Sequence, residues 1–121
     1  MATILIVDDD ENDRVGLAAA LRSEGYEILL ARDGDEALDL YLARRVHVVV
    51  TDMVMPGRDG LSLISAIRDV DPDASIVAVS GKSQSQLEAS KIYGAHSMLE
   101  KPIDPKALVT AVREAVAARG T

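Results

Sequence analysis

Hydrophobic and polar positions along this chain alternate between two regimes. Short β-branched runs at Ile4-Leu5-Ile6-Val7, Val46 to Thr51 and Ile76-Val77-Ala78-Val79 are apolar almost throughout, and weaker runs lie at Tyr26 to Leu30 and Ser97 to Glu100. Continuous apolar runs of this length suit strands covered on both faces, as in a parallel sheet. Between them apolar residues fall three or four apart, most clearly at Leu108, Val112, Ala115 and Ala118, which form one stripe of a helix. Gly25 is placed to end the first helix, Asp33 and Asp59 to cap the second and third. Asp104-Pro105 reads as an N-cap followed by proline at the first helical position. Five β-α units without repeats or linkers predict an α/β fold, a doubly wound parallel sheet with helices on both faces. Residues 1–121 read as a single domain.

Composition narrows the function classes. The chain has 121 residues and a formal net charge of −7, with no Lys/Arg-rich stretch. Such a balance repels phosphate backbones and argues against direct nucleic-acid binding. The aromatic residues are Tyr26, Tyr41 and Tyr93, so the core is expected to be aliphatic and base-stacking platforms are excluded. The absence of cysteine removes disulfides, thiolate metal sites and thiol nucleophiles, and fits a reducing compartment. No leader pattern opens the chain and no apolar run approaches the roughly 18 residues of a membrane span, so a cytoplasmic protein is expected.

In open parallel sheets ligands bind beyond the carboxyl ends of the strands, where strand order reverses. After the first strand come Asp8, Asp9, Asp10 and Glu11; after the third, Asp52; after the fourth, Ser80-Gly81; after the fifth, Lys101-Pro102. Carboxylates converging at one sheet edge repel one another unless a cation neutralises them. Oxygen-only ligands in an open site favour Mg²⁺, with Mn²⁺ as a substitute, over a caged Ca²⁺. A neighbouring lysine and hydroxyl complete an arrangement for holding a phosphoryl group.

The strings ILIVDDDE, VVVTDMVMPGRDG, IVAVSG and MLEKPID resemble, in order and spacing, the successive signatures of response regulator receiver domains of two-component signalling. The resemblance covers essentially the whole chain and implies a flavodoxin-like five-stranded sheet of order 2-1-3-4-5 with five helices. It implies that Asp52 is the phosphoacceptor, charged by a sensor histidine kinase or a histidine phosphotransfer protein. It further implies that Asp9 binds Mg²⁺ directly and Asp8 mainly through water, with Asp52 and the backbone carbonyl of Val54 completing the ligands. Lys101 would pair with phosphoryl oxygens, and Ser80, next to Gly81, would swing toward them. Pro102 would follow Lys101 through a cis peptide bond. The responsive surface would be the face of the fourth helix, fifth strand and fifth helix, with an unidentified output partner or a phosphorylation-dependent homodimer. Such a domain is a regulatory phosphoacceptor that assists its own phosphorylation and dephosphorylation, not an enzyme. A stand-alone regulator and a receiver cut from a longer protein both fit, and the lack of a linker favours the first.

Met98 departs from the pattern, which places Tyr or Phe before the lysine. A flexible thioether fills a variable gap but has no ring to turn between two positions. Val54 offers no amide or carboxylate to position an attacking water, and Lys82 adds positive charge, so a long-lived acyl phosphate is expected. Plainer readings hold elsewhere: Asp10 and Glu11 as helix-capping acids, Pro56, Gly57 and Asp59-Gly60 as a turn and cap. Met53 and Met55 read as cover for the site, and His47 and His96 as structural or surface residues. Two rival functions remain: a degenerate receiver binding proteins without phosphorylation, and an aspartate-nucleophile phosphohydrolase. The second would carry its nucleophile after the first strand and usually a cap domain.

Overall fold

The computed structural model describes residues 1–55, 57–81 and 94–118. Its elements run β1 (Thr3–Val7), α1 (Glu11–Arg22), β2 (Glu27–Ala31), α2 (Gly34–Ala43), β3 (Val48–Asp52), α3 (Gly60–Val70), β4 (Ser75–Ser80), β5 (Ser97–Glu100) and a final helix, α4 (Pro105–Ala118). Pro56, Lys82, Tyr93, the helix expected between the fourth and fifth strands, and residues 119–121 lie outside the described residues.

The five strands form one parallel sheet in the order β2-β1-β3-β4-β5. Every residue of β1, β3 and β4 is buried, as their unbroken apolar character requires of strands covered on both sides. Alternate residues then feed opposite faces. Ile4, Ile6, Val48, Val50, Val77 and Val79 pack under α1 and α4, against Leu17, Leu21, Leu108 and Val112. Leu5, Val7, Val49, Ile76 and Ala78 pack on the other side against Ala37 of α2 and Leu63, Ile64 and Ile67 of α3. Among the described residues the buried members of both core clusters are aliphatic apart from methionine.

Helix starts follow the capping pattern. Asp10, Asp33 and Asp59 accept from the backbone N–H of Asp13, Glu36 and Ser62 at 3.0, 2.8 and 2.8 Å. Asp104 accepts from Lys106 N–H at 3.2 Å. Each aspartate satisfies a donor that the first helical turn leaves open. Gly25 sits past the end of α1 at φ 89°, a left-handed conformation that a Cβ would disfavour. Most strand boundaries differ from the apolar runs by one residue, and the largest difference is in β3: the run begins at Val46, the strand at Val48. The His47 backbone N–H donates to the Thr3 carbonyl, and its Nδ1 accepts from Thr3 N–H at 2.9 Å. The imidazole thus takes the place of a ladder carbonyl just before regular pairing begins.

Candidate functional site

Four strand ends converge at the carboxyl edge of the sheet. Asp8 follows β1, Asp52 ends β3, Ser80 ends β4, and Lys101 follows β5. Main-chain bonds continue past the regular ladder and fix these positions. Asp8 N–H donates to Ala31 O at 3.2 Å, Met53 N–H to Val79 O at 3.0 Å, and Lys101 N–H to Ser80 O at 3.0 Å. Beneath Asp52, the first residue of α3 presses on the strand end. Gly60 N–H bonds Met53 O at 3.2 Å, and a Cβ on Gly60 would lie 2.5 Å from the Asp52 carbonyl oxygen. Only glycine permits that approach.

Lys101 is the centre of the arrangement. Its Nζ lies 3.0 Å from Asp8 Oδ2, 2.8 Å from Asp13 Oδ2 and 3.3 Å from Asp52 Oδ2. An ammonium has three N–H donors, and three carboxylates take them. Asp8 is fully buried, and its Oδ1 accepts from Asp10 N–H at 2.9 Å. Burial drives the Asp8 carboxyl above the usual carboxylate range and the Asp52 charge adds to this, against the opposing Asp10 N–H and Lys101 contacts. On Lys101, burial pulls the ammonium's affinity for its proton down. The hydrogen bonds it donates to Asp13 and Asp8, with the charges of Asp52 and Asp8, outweigh it and hold the lysine above its ordinary range.

Asp52 is almost buried, and its Oδ1 accepts from Val54 N–H at 3.2 Å. An open cavity lies over it, lined by Asp9, Asp10, Asp13, Val54, Met55, Gly81 and Lys101. Asp8, Asp9 and Asp52 each offer an oxygen, all within 4.8 Å of one another. An all-oxygen set of this kind, partly buried and partly open, fits a hard divalent cation.

The remaining sequence candidates fall around this centre. Ser80 is buried at the end of β4. A Cβ on Gly81 would sit 3.3 Å from Lys101 Cβ, so the glycine lies close against the lysine stem. The Lys101-Pro102 peptide bond is cis. Met98 pairs with Ala78 and packs, partly buried, on the core face shared by Met53 and Met55. Asp10 is a helix cap, as its sequence context suggests. Asp13 is the residue that sequence reasoning passes over. It stands in the first turn of α1, where an acid reads as a favourable partner of the helix dipole. Its place before Lys101 in the site comes from a contact between elements far apart in the chain, which no local spacing signals.

A doubly wound sheet that gathers aspartates and a lysine at its carboxyl edge defines a flavodoxin-like domain with an acidic, cation-ready site. The family model described as the response regulator receiver domain matches residues 4–113. The chain belongs to that family. It is 38% identical over 119 residues to the sensor kinase CckA of Brucella abortus, covering 93% of this chain and 12% of that one. It is 38% identical over 111 residues to the response regulator MprA of Mycolicibacterium vanbaalenii, covering 91% of this chain and 48% of that one. The chain thus spans about half the length of such response regulators and a small part of the kinase. A crystal structure of a receiver domain protein from Clostridium thermocellum superposes with a TM-score of 0.94 at 25% identity, covering 99% of this chain and 98% of that one. The chain is therefore a receiver domain of two-component signalling, with the 2-1-3-4-5 sheet expected of one. No described helix is long and apolar enough to cross a membrane.

Proposed function

We propose that Asp52 accepts a phosphoryl group from a phosphohistidine on a sensor histidine kinase or a histidine phosphotransfer protein. The observation that carries this reading is the Asp52 carboxylate itself. It is nearly buried beneath an open cavity, beside two further aspartates and 3.3 Å from the Lys101 ammonium. An Asp52 oxygen attacks phosphorus in line as the P–N bond to the donor imidazole breaks, and the imidazole keeps the electron pair of that bond. Val54 N–H holds one Asp52 oxygen and so orients the carboxylate. Asp8, Asp9, Asp52 and the Val54 carbonyl would hold Mg²⁺, or Mn²⁺ in its place, which supplies charge neutralisation at the transferring group. Lys101 exchanges its Asp52 contact for a phosphoryl oxygen, and the Ser80 hydroxyl moves toward another. Phosphorylation shifts the balance of states only through such contacts, made better in one state than in the other.

The domain acts in the cytoplasm as a regulatory phosphoacceptor, and its output partner meets the face of β5, α4 and the helix expected between β4 and β5. Intact mass after incubation with Mg²⁺ and acetyl phosphate or phosphoramidate tests the reading. One added phosphoryl group, absent with EDTA and absent in Asp52→Asn, is the expected result. No addition from either donor would refute it and favour a binding module that works without phosphorylation.

A further inference from the structure

We infer that Asp13 is a positioning residue that keeps the Lys101 ammonium on α1 when Asp8 and Asp52 turn to a cation, and competes with the phosphoryl group for it. This rests on the reading of Asp52 as phosphoacceptor. Of the three carboxylates on Lys101 Nζ, Asp8 and Asp52 belong to the cation-ready cluster and Asp13 does not. The lysine meets Asp8 and Asp52, two members of that cluster, so ammonium and metal contend for the same two carboxylates. Asp13 makes the shortest of the three contacts, 2.8 Å, from a different element and from the half-exposed rim of the site. It offers the ammonium a seat that remains when the other two carboxylates turn to a metal.

That seat has the opposite effect on the next step. A phosphoryl group on Asp52 takes Lys101 as its counter-charge, and Asp13 is a rival anion already holding it. Asp13 therefore favours the metal-loaded resting state and disfavours the phosphorylated one. A side chain that merely supported the fold would favour both or neither.

The test is to titrate the full chain with Mg²⁺ alone, and then with beryllium fluoride in saturating Mg²⁺, following backbone amides by NMR. Asp13→Asn should weaken Mg²⁺ binding and tighten beryllium fluoride binding, each by about two- to fivefold, the range of a half-exposed ion pair. Asp13→Glu should restore wild-type behaviour in both titrations. Glu11→Gln, which removes an equal charge from the same helical turn, should change neither by that much. Shifts in the same direction for both ligands, no shift, or an equal response from Glu11→Gln would overturn the inference. A wild-type chain that binds Mg²⁺ but no beryllium fluoride would instead overturn the phosphoacceptor reading, and this one with it.

Discussion

Replacing Gly60 with alanine probes the seating of α3 on the strand that carries Asp52. The new Cβ would lie 2.5 Å from the Asp52 carbonyl oxygen, 2.6 Å from Met53 Cα and 2.9 Å from Met53 Sδ. The first two are backbone atoms and no rotamer change removes them. Carbon contacts relax at roughly 3.5–4.0 Å, so the helix start must retreat by about 1 Å. That retreat stretches the 3.2 Å bond from Gly60 N–H to Met53 O beyond useful length. Overpacking of this kind costs about 1–3 kcal/mol, and the lost bond about 1 kcal/mol more. Alanine's better helix propensity returns about 0.5–1 kcal/mol, leaving a net destabilisation of about 1–3 kcal/mol. Gly16 is the internal control: it lies inside α1, and a Cβ there meets nothing within 4 Å. Gly16→Ala should therefore stabilise the domain by about 0.5–1 kcal/mol. Urea unfolding followed by far-UV circular dichroism should show the two midpoints moving in opposite directions. A Gly60→Ala midpoint at or above that of wild type would refute this account of how Asp52 is placed.

Three other outcomes are expected. Asp8 holds its proton more tightly in the fold than in the unfolded chain, because it is buried beside Asp52. Its contribution to stability is greatest below the ordinary carboxylate range and falls as pH rises through its folded value. Asp8→Asn in EDTA should thus melt higher than wild type at pH 7, by about 0.5–2 kcal/mol, and the margin should shrink toward pH 4; a margin independent of pH would contradict the assignment. Mg²⁺ at about one hundred times its Kd should add about 2.7 kcal/mol of stability. Most of that gain should vanish in Asp9→Asn, as thermal melts will show. Val54→Asn, which supplies an amide beside Asp52, should shorten the acyl-phosphate lifetime measured by decay of the phosphorylated mass; an unchanged lifetime would remove Val54 from the account.

The sheet was legible in the sequence because β1, β3 and β4 are covered on both faces, which leaves an apolar run that no polar position interrupts. β2 and β5 are less completely buried and their runs are correspondingly mixed. The residues at the site were legible for a related reason: in a parallel sheet the chain leaves each strand at the same edge, so Asp8, Asp52, Ser80 and Lys101 all lie along it. What the sequence could not carry was contact across elements. Asp13 looks like any acid in a first helical turn until β5 brings Lys101 to it. The start of β3 was equally hidden, because a histidine ring closes it through a bond to Thr3, 44 positions earlier in the chain.

The interior holds neither phenylalanine nor tryptophan, and its methyl groups are sorted by the sheet. Neighbours in β3 point to opposite compartments: Val48 and Val50 toward α1 and α4, Val49 toward α2 and α3. Isotope-labelled methyls on this one strand would therefore report separately on the two halves of the molecule. A chemical event at Asp52, the last residue of the same strand, could be followed into each half from probes a few ångströms apart. The direction in which the signal leaves the site then becomes a measurable property of a single strand.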